Sequence, residues 1–410
     1  MTDEVATKPL SILPGIAIIA GTAIGAGMFS LPIASSGMWF SWSIVVLILS
    51  WFCLFNSGLM VLETNLNFPR GSSYDTFVKK TLGDGWNHFS GLTMSFALYV
   101  LAYAYISGGG SIVRHTLEVS IGVSLPQAVS GLLFAVGIAF VVWCSTALVG
   151  RLNAIFVGGM IITFILSVGD LTTRIQLPIL FDNDASYVPF IFAAVPYYLA
   201  SFGFHATVPS VMKYYGPDPL RIRQCILYGS LITLVVYGLL LMVTQGNIAR
   251  EDFKPIIESG GNIGDLVGAL SRVADSNALS TLLNIFANLA VVSSFLGAGI
   301  GLFDFIADKF KFDDKGSGRF KTALVTFVPP TIGGVFFPNG FIYAIGLVGL
   351  CGIVMTSIIP ALCAKASRKK YGNTQYRVWG GDGLIYLTLI YAAVLVSFYF
   401  LAAAKLLPVY

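Results

Sequence analysis

Charge is what this sequence has least of. Only 11% of its 410 residues are Asp, Glu, Lys or Arg, where an ordinary soluble domain carries about 25%. So few charged side chains cannot clothe a water-facing surface, which excludes a soluble globular protein. Histidine is scarce as well. His88, His115 and His205 match no His, Cys and carboxylate ligand pattern, so no metal site is expected. The five cysteines (Cys53, Cys144, Cys225, Cys351, Cys363) form no CxxC pair and read as buried reduced thiols. There is no HExxH, no P-loop and no GxSxG elbow, so neither an enzyme nor a cofactor is expected. No basic stripe interleaved with aromatics points to nucleic acid, and the net charge of +4 belongs to the loops.

What the chain does have is apolar length: 56% hydrophobic residues and a mean hydropathy of +0.81. A spanning helix needs about 20 apolar residues. Eleven candidate stretches fall near 11–36, 39–65, 88–113, 127–147, 150–171, 187–212, 224–246, 280–306, 321–338, 340–364 and 383–404. Continuous runs of this length favour helices over the short alternating strands of a barrel. The first ten residues, with Asp3, Glu4 and Lys8, lack the basic start of a secretory signal, so the first apolar run is expected to stay as a span. The longest connection, roughly Gly246 to Ser280, is too short for a nucleotide-binding domain, which excludes a self-contained ATP-driven pump. With the amino terminus in the cytoplasm, 18 of the 24 Lys and Arg collect on the cytoplasmic side and 6 on the other. Positive charge stays inside, so the pattern predicts eleven crossings, with the amino terminus in and the carboxyl terminus out.

Span 1 contains Gly21-Thr22-Ala23-Ile24-Gly25-Ala26-Gly27 followed by Pro32. Each mid-helix Gly costs about 1 kcal/mol relative to Ala, and Pro removes an internal hydrogen bond, so this helix is weak in its middle. Gly21 and Gly25 also form GxxxG, the spacing of a tight packing face, and span 1 alone does not separate the two readings. Span 6 reads Ala200-Ser201-Phe202-Gly203-Phe204-His205 ahead of Pro209, an interruption at the same place in the second half. Paired interruptions of this kind point to a transporter site. Five spans per half also make the halves run in opposite directions. The expectation is an all-α membrane protein, one domain over 1–410, with inverted repeats at 11–171 and 187–364 and an added eleventh helix at 383–404. Ser107-Gly108-Gly109-Gly110 and Gly297-Ala298-Gly299-Ile300-Gly301 are a weaker echo in the third span of each half.

Where a helix stops inside a bilayer, its N–H groups lose their partners and the positive end of its dipole faces the gap. Amides of Gly25, Ala26 and Gly27 are candidates to hold a carboxylate. Carbonyls near Ala20, Gly21 and Ala23, with the Thr22 hydroxyl, are candidates for an ammonium. A zwitterion fits both poles, so the expected ligand is an α-amino acid. Ser201, Phe202, Gly203 and Phe204 would complete the site from span 6, with Tyr99 and Tyr103, one turn apart in span 3, opposite them. Such rings could sandwich a planar side chain at about 0.5–1.5 kcal/mol per pair. In a chain with 13% aromatics, chance proximity produces the same pattern.

Charges within spans cost roughly 3 kcal/mol each, so each needs a reason. Glu63, near the end of span 2, reads either as a helix-end carboxylate or as a gate contact or proton carrier. Asp304 and Asp308 read as interfacial charges. His205, inside the second break, is either a proton switch or a hydrogen-bonded structural histidine.

These residues carry a resemblance. Gly21 to Pro32 (Gly21-Thr22-Ala23-Ile24-Gly25-Ala26-Gly27-Met28-Phe29-Ser30-Leu31-Pro32), Leu62-Glu63-Thr64-Asn65-Leu66-Asn67, Tyr103-Ala104-Tyr105-Ile106-Ser107 and the span 6 segment resemble the bacterial aromatic amino acid permeases of the amino acid/polyamine/organocation superfamily. Ser293-Ser294-Phe295-Leu296-Gly297, Gly301-Leu302-Phe303-Asp304 and Phe337-Pro338-Asn339-Gly340-Phe341 continue the likeness over nearly the whole chain. Within the family the chain is most similar to the tryptophan-specific members. The resemblance implies a leucine-transporter-like fold, a multi-pass place in the bacterial inner membrane, and import of L-tryptophan by proton symport with alternating access. One position departs: the family usually has a lysine in the middle of span 5, and here it is Met160. A thioether carries no proton, so coupling would fall to His205 or Glu63, or to a weak sodium site at Ser293 and Ser294. A sodium-coupled or uncoupled carrier of other aromatic amino acids is the alternative. A channel or a non-transporting sensor is the different class, although no carboxylate ring or carbonyl filter motif supports a pore.

Overall fold

A computed structural model describes residues 11–274, 276–372 and 376–410; the charges at Asp3, Glu4 and Lys8 lie outside the described residues. Among the described residues every regular element is helical. The chain opens with α1 (Leu13–Ala23), a 3-10 turn (Ala26–Phe29) and α2 (Ser30–Ala34). Then come α3 (Trp39–Asn65), the short α4 (Tyr74–Leu82), α5 (Asp84–Ile121), α6 (Gln127–Cys144), α7 (Thr146–Thr172) and the one-turn α8 (Leu177–Leu180). The second half holds α9 (Ile191–Ser201), α10 (Val208–Tyr215), α11 (Pro219–Gln245), α12 (Phe253–Glu258), α13 (Ile263–Ala274) and α14 (Asn277–Phe310). It continues with α15 (Gly316–Phe336), α16 (Phe341–Ile353), α17 (Ile359–Tyr371) and α18 (Gly381–Ala403), α16 passing into α17 through a π-turn at Val354–Ile358.

Among the described residues, nine helical stretches are long and apolar enough to cross a membrane, or ten when the bent pair at the start is one span. The expected ninth span, 321–338, is what separates this from eleven. α15 covers it as a continuous helix, but Arg319 and Lys321 near its start and Pro329-Pro330 inside it dilute its apolar character. The expected connection between 246 and 280 is also more structured than a loop, holding α12 and α13.

The outer surface is built for lipid. Leu133, Val136 and Phe140 of α6 and Ile161, Ile162, Ile165 and Leu166 of α7 are each at least half exposed. In water such a belt would be an association surface; against acyl chains it carries no penalty. For the same reason hydrophobicity cannot hold the helices to one another, and close packing of small residues takes its place. A Cβ on Gly110 of α5 would sit 2.7 Å from Gly131 Cα of α6, and one on Gly349 of α16 would sit 2.6 Å from Pro196 O of α9. The triple glycine of α5 is therefore a packing face. Both glycine-rich echoes lie in unbroken helix, α5 and α14. The larger apolar core surrounds α5, α7, α9 and α14, and a smaller one joins α10 to the ends of α3, α17 and α18.

Gly110→Ala should force α5 and α6 apart and destabilise the protein by about 1–3 kcal/mol. Gly137→Ala on α6, whose added methyl meets nothing within 4 Å, should cause no loss and add up to about 1 kcal/mol through helix propensity. Unfolding of the two variants in detergent checks both.

Candidate functional site

Two segments come apart midway along their length. α1 stops at Ala23, and Ile24 and Gly25 are extended before the 3-10 turn resumes. The two parts are bent by 49°. α9 stops at Ser201; Phe204 N–H turns back to Phe202 O at 2.9 Å, and α10 restarts with Pro209 in its first turn, where a missing N–H costs nothing. The GxxxG packing reading of span 1 falls here. A Cβ on Gly21 or Gly27 would meet nothing within 4 Å, so no helix packs on them. Gly25 has a different reason: an added Cβ would lie 2.5 Å from Ser294 Oγ. Without it, Ser294 of α14 comes close enough to accept the Ala26 N–H at 2.8 Å.

Both breaks border one cavity of about 510 Å³, within the range of small-molecule sites. Of the residues expected at a binding site, Thr22, Ala23, Gly25, Gly27, Ser201, Gly203, His205, Ser293 and Ser294 line it. Ala26 does not; it is fully buried and its amide donates to Ser294. Tyr99 and Tyr103 do not either. The lining stripe of α5 is Met94, Ala97, Leu98, Leu101 and Tyr105, and Tyr103 lies about 200° around the helix from Leu101. Tyr99 and Tyr103 instead donate to Val325 O (2.9 Å) and Phe337 O (2.8 Å), on the α15 side. Phe202 and Phe204 are fully buried behind the wall. Phe202 packs edge-on against Tyr237 at 5.2 Å, and Phe204 stacks on the His205 ring at 4.6 Å. The expected aromatic sandwich is thus replaced by backbone at Gly203, aliphatic side chains, and the rings of Tyr105 and Tyr74.

Sequence reasoning missed Tyr74, Tyr105, Asn153 and Thr356, which also line the cavity. Asn153 had a signal: it is a lone amide in α7, two residues ahead of the apolar run Ile155 to Ile162. Its Oδ1 is buried with no partner among the described residues. His205 has one committed nitrogen. Ser57 Oγ donates to Leu54 O at 3.1 Å and so accepts from His205 Nε2 at 2.7 Å. That leaves Nδ1 as an acceptor, without a partner among the described residues. A third hydroxyl ties the breaks together: Tyr237 of α11 donates to Ala23 O and Ser201 O, 2.6 Å from each.

The cavity runs from the breaks toward Tyr74, Met94 and Asn153, which sit at the end of the bundle near Lys79, Lys80 and Arg151. Three rings pack together behind the first break. Phe29 of the first break meets Phe286 of α14 at 5.4 Å, and Phe286 meets Phe164 of α7 at 5.4 Å, all three buried.

Glu63 and Met160 lie outside the cavity lining. Met160 is buried within α7. Glu63 is fully buried and held on both oxygens: Arg368 Nε reaches Oε1 at 2.6 Å, Arg368 Nη2 reaches Oε2 at 2.9 Å, and Val378 N–H donates to Oε2 at 2.7 Å. Arg368 also pairs with Asp382 of α18 at 2.7 Å. The carboxylate whose role was open is a buried ion-pair partner that joins α3, α17 and α18. Arg368→Met would strand it and should destabilise by about 3–5 kcal/mol, with the double variant Glu63→Gln/Arg368→Met recovering much of the loss; unfolding of both in detergent is the check.

Comparison with known proteins gives a consistent set. Residues 8–399 match the model of the tryptophan/tyrosine permease family. The chain is 54% identical over 403 residues to a tryptophan-specific transport protein of Pseudomonas aeruginosa, covering 98% of this chain and 97% of that one. It is 42% identical over 413 residues to the low affinity tryptophan permease of Escherichia coli K12, covering 100% and 99%. It is 38% identical over 404 residues to a tyrosine permease of Enterobacter agglomerans, covering 97% of each.

Proposed function

Because the chain belongs to the tryptophan/tyrosine permease family, and is thus a multi-pass inner-membrane transporter and not an enzyme, we propose that it imports L-tryptophan by proton symport with alternating access. The observation that carries the reading is that two helix breaks border the same cavity, each leaving main-chain groups at its wall. The amides of Gly25 and Gly27 face the carboxylate, and the carbonyls of Ala23 and Ser201 face the ammonium. The indole lies against Leu98, Leu101, Val157 and Tyr105. Its N–H needs an acceptor, and Asn153 Oδ1 and His205 Nδ1 are two without partners among the described residues.

In this reading α15 is counted as a span, giving eleven with the bent pair, arranged as inverted repeats over 11–171 and 187–364 with α18 added. The excess of Lys and Arg puts the amino terminus in the cytoplasm and the carboxyl terminus in the periplasm. The open end of the cavity is then cytoplasmic and the Phe29–Phe286–Phe164 cluster periplasmic, an inward-facing state. With Met160 unable to carry a proton, His205 takes that part through Nδ1, because it alone among the coupling candidates combines a cavity position with a titratable atom. One proton crossing with a zwitterion moves one net charge. That is about 2.3 kcal/mol per 100 mV, enough for accumulation of roughly fiftyfold.

Uptake of labelled tryptophan into proteoliposomes, with pH and sodium gradients imposed separately, tests this. Saturable entry driven by an inside-alkaline gradient is expected, with loss of the pH response in His205→Ala. Entry driven by sodium alone would move coupling to Ser293 and Ser294, and equal competition by phenylalanine would refute tryptophan specificity. Gly25→Ala, which pushes a methyl against Ser294 Oγ, should reduce tryptophan uptake by about tenfold or more, the scale of one lost hydrogen bond to a charged group. Repeating the gradients in Met160→Lys asks whether a fixed charge there alters coupling.

A further inference from the structure

Tyr237 sits on α11, away from both broken segments in sequence, and its side chain is fully buried. Its hydroxyl is 2.6 Å from Ala23 O and 2.6 Å from Ser201 O. Ala23 and Ser201 are the last residues of α1 and α9, the half-helices that stop at the two breaks. Among the described residues no backbone N–H outside the helices reaches either carbonyl. Both oxygens carry the partial negative charge of a helix carboxyl end, and both residues line the cavity.

A phenol has one proton. Two helix-end carbonyls therefore share a single donor, which leaves each with acceptor capacity to spare. The edge-on contact with Phe202 at 5.2 Å fixes the ring, so the hydroxyl cannot follow one carbonyl away from the other. The two oxygens are thus drawn to a common point at the cavity wall. A primary ammonium brings three N–H donors to that point and can satisfy both carbonyls, which line the cavity while the phenol stays behind them.

We propose that Tyr237 is a positioning residue that assembles the ammonium subsite by holding Ala23 O and Ser201 O together across the two breaks. The proposal rests on the amino acid transport reading above. It involves no proton transfer: the phenol keeps its hydrogen, and the substrate enters and leaves as an ammonium.

Tyr237→Phe removes the hydroxyl and keeps the ring and its contact with Phe202. Tryptophan entry into proteoliposomes would be measured with tryptamine, which has only the ammonium, and indole-3-propionate, which has only the carboxylate, as competitors. The KM for tryptophan and the inhibition constant of tryptamine should each rise about tenfold or more, while the inhibition constant of indole-3-propionate moves less than about twofold. A purely structural tie would weaken all three ligands together, and that parallel loss would overturn the proposal, as would no change for tryptophan and tryptamine. Failure of the transport reading would show separately, as no saturable tryptophan entry in the unsubstituted protein, and would remove this proposal with it.

Discussion

A backbone N–H or C=O without a partner costs several kcal/mol in a hydrocarbon surround, and the site is the consequence of how two helix breaks meet that constraint. At the first break Ser294 Oγ takes the Ala26 N–H. At both, Tyr237 reaches the terminal carbonyls, Ala23 O and Ser201 O. These partners come from α14 and α11, so the breaks survive only because neighbouring helices supply side chains to them. What those side chains do not satisfy faces the cavity, and a ligand with a carboxylate at one end and an ammonium at the other is the complement of what is left.

The rest of the bundle arranges this cavity asymmetrically. The cavity runs past Tyr74, Met94 and Asn153, while three phenylalanines from α7, α14 and the first break pack on one another outside its lining. Away from the cavity, the Glu63–Arg368–Asp382 network fastens α18 to α3 and α17. Its charges are in bidentate or multiply bonded geometry, the condition under which a buried pair can offset its desolvation. It joins helices at one end of the bundle without touching the ligand wall, so it governs cohesion of that end.

Much of the fold was legible because it depends on local periodicity and length. The helix at 39–65 was expected at its observed ends, Trp39–Asn65, and the interruptions at Gly25 and Gly203 were visible as glycine near proline. What failed was anything that depends on which way a side chain turns. Tyr99 and Tyr103 are one turn apart, as expected, but their shared face meets α15, while the neighbouring stripe ending at Tyr105 meets the cavity. Phe202 and Phe204 flank the correct glycine yet point into the protein. Glu63 could not be assigned because its partner, Arg368, lies 305 residues away. α13 was passed over as connection although Ile263, Leu266, Val267 and Leu270 have helical spacing and are buried; it was overlooked because it is too short to span. Tyr237 left no local signal: its importance comes from two carbonyls contributed by other helices.

The central claim is that main-chain groups freed at the two breaks hold the amino acid end of the substrate. A cryo-EM structure of the protein with bound tryptophan tests it most directly. The account predicts the carboxylate within hydrogen-bonding distance of the Gly25 or Gly27 amide, and the ammonium within the same distance of Ala23 O and Ser201 O. Density for tryptophan away from both breaks, or either segment closed into a continuous helix in the complex, would contradict it.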